Sequence, residues 1–277
     1  MSRPRFLKRS FAIPSTHGSW VWWLGPFAIG TAAGGAPGGD VAALFVAGLA
    51  GFLLHHPAGL AVKAVTGRRA PQDLAPALAW IAIYTAVAVS ALPCLVMHGH
   101  ARVLWLLVPG GLAFAGHLVL VARRLERRQM GVEMLEAGVL ALAAPAAYAV
   151  SGGSRDVEAW VLWALCWVQT AGAIANVFVQ LPSRPAPGSP PPVPGRRSGT
   201  ALVSLALQAL GLAVAAAFAV AREAPWGTLV PFGIVALEAL INVARPAPGR
   251  RPAQVGVRQL VVSLLFVAGM IAAWRLG

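Results

Sequence analysis

Carboxylates are scarce in this chain: nine Asp and Glu stand against 22 Lys and Arg in 277 residues. No paired Asp occurs, so a hard divalent cation lacks its usual cluster of oxygen ligands. Cysteine is scarcer still, and Cys94 and Cys166 both fall inside apolar segments. They read as small buried residues rather than a disulfide or a metal pair. The GxxxxGK[ST] phosphate loop, the GxSxG nucleophile elbow and the HExxH metal motif are missing, which removes the most recognisable nucleotide-binding and hydrolase signatures. Charged residues make up only 11% of the chain and hydrophobic ones 58%. That balance suits lipid as the solvent and excludes an ordinary soluble domain.

What the chain has is long apolar segments, at 19–36, 40–56, 76–97, 101–121, 133–151, 157–180, 199–221, 225–243 and 256–275. At about 1.5 Å per residue most of them reach across a hydrocarbon core of about 30 Å. The second is short and requires tilt or burial. Between the segments the basic residues alternate: 18 of the 22 Lys and Arg fall on one side, against Arg102, Arg155, Arg222 and Arg275 on the other. The positive-inside rule then predicts nine transmembrane helices in an all-α, polytopic bundle, N-terminus in the cytoplasm and C-terminus outside, in a bacterial cytoplasmic (plasma) membrane. The net charge of +13 orients the helices and meets anionic membrane lipid. No basic-aromatic motif for nucleic acid accompanies it.

The predicted organisation is a basic cytoplasmic N-terminus (1–18), a six-helix part (19–181), a Pro-rich cytoplasmic linker (182–198) and a three-helix part (199–277), together one structural domain. The linker composition, PSRPAPGSPPPVPGRRSG, disfavours helix. A cleaved signal peptide is rejected, because His17, Gly18 and three Trp stand where a plain apolar core belongs. Trp160, Trp163, Trp167, Trp226 and Trp274 are expected as interfacial anchors. Gly30 and Gly34, or Gly48 and Gly51, are expected to let helices approach closely.

Placed on this topology, the polar residues of the apolar segments gather toward the cytoplasmic ends: His17, His55, His56, His117, Glu133, Glu136, Asn176, Gln180, Glu238, Asn242, Arg258 and Gln259. Ionisable groups within the membrane are costly and face a protein interior or a watery cavity, which makes this set a candidate site. Hydration of helix ends by the interface is the competing explanation. Glu238, Asn242 and Arg245 share one helix face. His55 and His56 diverge by about 100° around a helix, so they make only half a metal site. Two histidines at matching depth leave haem ligation open. His98 and His100 are expected in a solvated turn on the outer side.

The stretch Pro14-Ser15-Thr16-His17-Gly18-Ser19-Trp20, followed by Pro26-Phe27-Ala28-Ile29-Gly30, resembles the opening of the YwiC-like membrane proteins, and Ala144-Pro145-Ala146-Ala147-Tyr148 extends the resemblance. It implies a membrane protein and assigns no catalytic role to His17, Gly18 or Trp20. In architecture alone, nine helices with inner loops after the second and sixth also resemble the UbiA-type intramembrane prenyltransferases. That family's Asp-rich motifs are missing: the corresponding regions read Leu53-Leu54-His55-His56-Pro57 and Asn176-Val177-Phe178-Val179-Gln180, and Asp73 is alone.

The function expected from the sequence is therefore binding of a lipid-like, isoprenoid or small anionic ligand in a cytoplasm-facing polar cavity. The candidate residues are His17, Trp20, His55, His56, Tyr84, His117, Glu133, Glu136, Asn176, Glu238, Asn242 and Arg245, with Trp20 and Tyr84 in apolar contact. No cofactor is identified and catalysis is left open. A small-solute or ion transporter, with Gln169 and Gln208 near the midplane, is the alternative. A non-catalytic assembly or haem-handling protein is another. Oligomeric state and pathway are not readable from the residues.

Overall fold

A computed structural model describes residues 9–13, 18–35, 38–125, 129–180, 194–244 and 252–277. The regular elements among them are all helical. After a single turn, α1 (Arg9–Ala12), come α2 (Gly18–Gly34), α3 (Gly39–Val65), α4 (Leu74–Met97), α5 (Leu107–Ala122), α6 (Met130–Leu140), α7 (Ala143–Val150), α8 (Asp156–Gln180), α9 (Pro194–Val220), α10 (Leu229–Ala244) and α11 (Pro252–Leu276). Short 3₁₀ turns lead into α4, α5 and α10. Eight helical segments among the described residues are long and apolar enough to cross a membrane, with α6 and α7 together forming one of them. The first expected segment, 19–36, forms α2, whose 17 residues extend about 25 Å at the helical rise.

Three expected boundaries are corrected. The second segment is not short: α3 runs 27 residues and passes through Pro57, because the apolar stretch Ala58–Ala64 beyond it finds a packed surface. Proline loses one backbone hydrogen bond, which a packed membrane helix tolerates more readily than a solvated one. The linker was expected to end at residue 198, but α9 starts at Pro194, and proline is pre-organised for the first helical position. The fifth segment is broken between α6 and α7. Pro145 has no N–H to reach the Ala141 carbonyl, and Ala144 N–H bonds that carbonyl instead at 3.0 Å.

Helix α8 lies at the centre, with Leu162, Leu165 and Ile174 fully enclosed, and it packs against α6, α7, α9 and α10. Helix α2 lies between α7 and α11. Gly30 and Gly34 make the α2–α7 approach close, since a Cβ at either would overlap the backbone at Ala144 or Tyr148. This is small-residue packing of the expected kind. Gly48 similarly receives the edge of Trp23, whereas Gly51 has open space around it and brings no helix closer.

Two of the expected interfacial tryptophans act inside the bundle. Trp163 and Trp167 donate their indole N–H groups to the carbonyls of Gly138 and Met134, each at 2.9 Å. They therefore fasten α8 to α6, and a Cβ at Gly138 would stand only 2.6 Å from the Trp167 nitrogen. Trp274 donates to Glu158 at 2.7 Å. Trp160 and Trp226 remain exposed, as anchors should be.

Candidate functional site

Pairwise contacts at the helix ends fall within the two sets that the charge pattern defines. In one set, the Arg68 guanidinium at the end of α3 donates to the Val121 carbonyl at the end of α5. In the other, Arg155 pairs with Glu223 at 2.6 Å and Arg275 donates to the Gly35 carbonyl at 2.5 Å. The candidate polar residues belong to the first set and resolve into separate groups.

The most enclosed group joins α8, α10 and α11. Glu238, Asn242 and Asn176 are 8%, 3% and 2% exposed. Asn176 donates to Glu238 Oε2. Asn242, one turn beyond Glu238 on α10, donates to Oε1 at 2.6 Å and to the Asn176 oxygen at 3.3 Å. Arg258 completes the set, its Nε 3.0 Å from Glu238 Oε1. Burying a carboxylate in apolar surroundings is costly unless it is paired and hydrogen-bonded, as it is here. Arg258 itself keeps 31% of its side chain open. On the flanking positions of α8 and α11, Gln180 Oε1 and Gln259 Nε2 are buried without a hydrogen-bond partner.

A second group joins α3, α5 and α6. His117 Nδ1 lies 2.6 Å from Glu136 Oε1, and the His55 and His117 rings stand 4.0 Å apart, centroid to centroid. Rings in such contact leave no room between them for a haem. Glu133 lies in the first turn of α6, one turn before Glu136.

Two candidates do something else. His56 Nε2 is 2.9 Å from the Ser10 carbonyl oxygen and Tyr84 donates to the Ala12 carbonyl at 2.8 Å. Together they pin α1 between α3 and α4, where Phe11 packs with Leu60, Ala61 and Ala77. The expected divergence of His55 and His56 is present, each serving a different helix contact. Trp20 sits edge-on to Phe52 at 5.0 Å and lines an apolar groove of ≈ 440 Å³ between α2 and α11, apart from both polar groups. His17 and Arg245 lie outside the described residues.

Residues 13–148 match the family model of the YwiC-like proteins. Over that stretch, just under half of its length, the chain is similar to that family. No curated protein and no solved structure matches it. The YwiC-like stretch contains the His55–His117–Glu136 group in full and ends at Tyr148, before Asn176, Glu238 and Arg258. The described residues are thus helical in their regular elements, with eight candidate membrane spans, one polar group inside the stretch similar to the YwiC-like proteins and one beyond it.

Sequence reasoning missed a third group. Cys94, expected to be enclosed, is only part-buried, and its sulfur lies 3.7 Å from Asp40 Oδ1 and 3.6 Å from His98 Nδ1. His98 and His100 are not merely solvated: they reach Asp40 at 2.9 and 3.2 Å. The readable signal was the spacing Cys94-x₃-His98-x-His100. Asp40, 54 residues before the cysteine, carried none.

Proposed function

We propose that the α8–α10–α11 end of the bundle binds an amphiphile or small solute through its anionic group, in a pocket opening to the cytoplasm. Arg258 supplies the positive charge, Gln180 and Gln259 supply an acceptor and a donor, and Glu238, Asn176 and Asn242 hold Arg258 in place. What carries this reading is the presence of two buried polar atoms without partners, Gln180 Oε1 one turn beyond Asn176 and Gln259 Nε2 on the residue after Arg258, whose own side chain is 31% open. Leaving a buried polar atom unsatisfied costs about 1–3 kcal/mol, which a polar ligand placed there removes. An arginine at the head-group level of a membrane suits phosphate or carboxylate, through paired charge-assisted hydrogen bonds. A phospholipid, an isoprenoid phosphate and a free anion share that chemistry.

The orientation that goes with this reading has nine crossings, α2 included, with the N-terminus inside and the C-terminus outside. It rests on the 18-to-4 division of Lys and Arg.

A transporter is the second reading. It is favoured by Gln169 and Thr170 on α8, which face α2 and α11, and by Ser204 and Gln208 on α9, all four of them buried. Ser204 Oγ has no partner. Beyond them, however, the same face of α8 turns to Cys166, Leu165 and Leu162, all fully enclosed. A path for solute would have to open this apolar packing, whereas a one-sided pocket leaves it intact.

Native mass spectrometry of the detergent-purified chain, with analysis of extracted lipid, tests the proposal. Retention of an anionic lipid or anion that is lost in Arg258→Gln and weakened in Asn242→Ala is the expected result. Equal retention of anionic and zwitterionic lipid, or unchanged retention in Arg258→Gln, overturns it.

A further inference from the structure

We propose that Asp40, Cys94 and His98 form a site for one divalent metal ion of the zinc class, with His100 as a positioning residue. This site lies at the opposite helix ends from Arg258 and is independent of the ligand pocket. Among the described residues, these three side chains are the cluster whose potential ligand atoms all approach within 4.8 Å of one another.

The local sequence explains the convergence. Cys94 and His98 are four residues apart, so they share a face at the end of α4. Gly99 adopts φ +84°, a conformation that glycine takes without a steric penalty. It reverses the chain and returns His100 toward the same carboxylate. Asp40 stands in the first turn of α3, where a negative charge is favoured by the helix dipole.

The separations match one tetrahedral ion. Zinc bonds of about 2.3 Å to sulfur and about 2.0 Å to nitrogen and oxygen imply ligand separations of about 3.5 Å to sulfur and about 3.3 Å between nitrogen and oxygen. Here sulfur lies 3.7 Å from Asp40 Oδ1 and 3.6 Å from His98 Nδ1, and those two atoms are 2.9 Å apart. Movement of a few tenths of an ångström completes the triangle. Hydrogen bonding alone brings a thiol and an imidazole to one carboxylate oxygen, but it does not require the cysteine and histidine to face each other across ordinary ligand–ligand distances.

The donor set selects the ion. Thiolate and imidazole favour zinc and its neighbours over Mg²⁺ or Ca²⁺, which prefer oxygen cages. His100 Nε2 lies on the other oxygen, Asp40 Oδ2, at 3.2 Å, the usual place for a group that orients a metal-binding carboxylate. His98 is 58% exposed, so water can reach the fourth position. In the orientation proposed above, the site faces the non-cytoplasmic side.

The test is metal binding by the full chain, purified in detergent, stripped with chelator and re-equilibrated with Zn²⁺ or Co²⁺ alone. One ion per chain is expected. The cobalt form should show a thiolate-to-metal charge-transfer band and the intense visible absorption of a tetrahedral site. Cys94→Ser should abolish the charge-transfer band, and His98→Ala and Asp40→Asn should each weaken binding at least 10-fold. His100→Ala should weaken it by about 10- to 100-fold while keeping the band, as loss of an orienting partner does. Excess Mg²⁺ should not compete. Failure of the unaltered chain to retain zinc, or equal zinc affinity in Asp40→Asn and His98→Ala variants that elute as folded protein, overturns the proposal. A cobalt spectrum without the sulfur band does the same.

Discussion

Arg258 on α11 reaches Glu238 on α10 at 3.0 Å, and the same carboxylate is held by Asn176 from α8 and by Asn242 one turn along. One acidic side chain therefore joins three helices. Removing Arg258 leaves a carboxylate that is only 8% exposed without its counter-charge, and a severed buried pair commonly costs about 3–5 kcal/mol. Because Arg258 is partly open, a smaller loss of about 1–3 kcal/mol is expected for Arg258→Met. Adding Glu238→Gln to Arg258→Met should recover part of that loss. Thermal unfolding of the four proteins in detergent measures it, and strict additivity of the two changes would show that the pair is not coupled.

Close approach of α2 to α7 depends on Gly30. A Cβ there overlaps the Ala144 carbonyl, and backbone cannot turn aside as a flexible side chain can. Gly30→Ala is therefore expected to destabilise by at least about 1–3 kcal/mol, the usual scale of overpacking. Gly51→Ala, with open space around its site, should be neutral or slightly stabilising because it lowers the entropy of the unfolded chain. Equal effects of the two substitutions on melting temperature would remove the packing explanation.

The sequence revealed helical class and most spans through their apolar lengths, and it singled out Asn176, Glu238 and Asn242 because polar groups at such depth must find partners. Their pairing could be anticipated in kind, since Glu238 and Asn242 share a helix face. The boundary at residue 56 falls short because the His55-His56-Pro57 run interrupts the apolar stretch while packing beyond it sustains the helix, and the one at residue 198 because the linker prolines disfavour helix while first-turn geometry suits Pro194. His56 and Tyr84 were placed in a ligand site because their true partners are the backbone carbonyls of Ser10 and Ala12, which carry no signature in residue type. Asp40 was missed for a related reason: only the fold brings it to Cys94 and His98.

Pinning of α1 gives a further prediction. Tyr84→Phe removes the hydrogen bond to the Ala12 carbonyl and keeps the ring, and His56→Ala removes the contact at Ser10. Each should weaken the local hold by about 0.5–1.5 kcal/mol, the net scale of one hydrogen bond. Hydrogen exchange of the backbone amides at residues 10–13 should accelerate several-fold, more in the double variant, while exchange in α8 stays unchanged. If residues 10–13 exchange at the same rate in all variants, burial of Phe11 alone holds the segment.

Orientation can be tested through the Pro-rich stretch between α8 and α9. Arg184 lies in that interval and Arg196 and Arg197 follow at the start of α9, and the 18-to-4 charge division assigns the stretch to the cytoplasm together with residues 1–10, 57–75, 122–132 and 244–255. A Ser189→Cys substitution, in a chain lacking Cys94 and Cys166, should escape a membrane-impermeant thiol reagent in intact cells and react after permeabilisation. Cysteine introduced at Ser154, between α7 and α8, should react from outside without permeabilisation. If α2 spans the membrane as the ninth crossing, cysteines at Ser10 and Ser154 must label from opposite sides, because an odd number of crossings separates them. Labelling of Ser189→Cys from outside would reverse the orientation. Labelling of both Ser10→Cys and Ser154→Cys from one side would reduce the crossings before α8 to an even number and leave α2 lying within one leaflet.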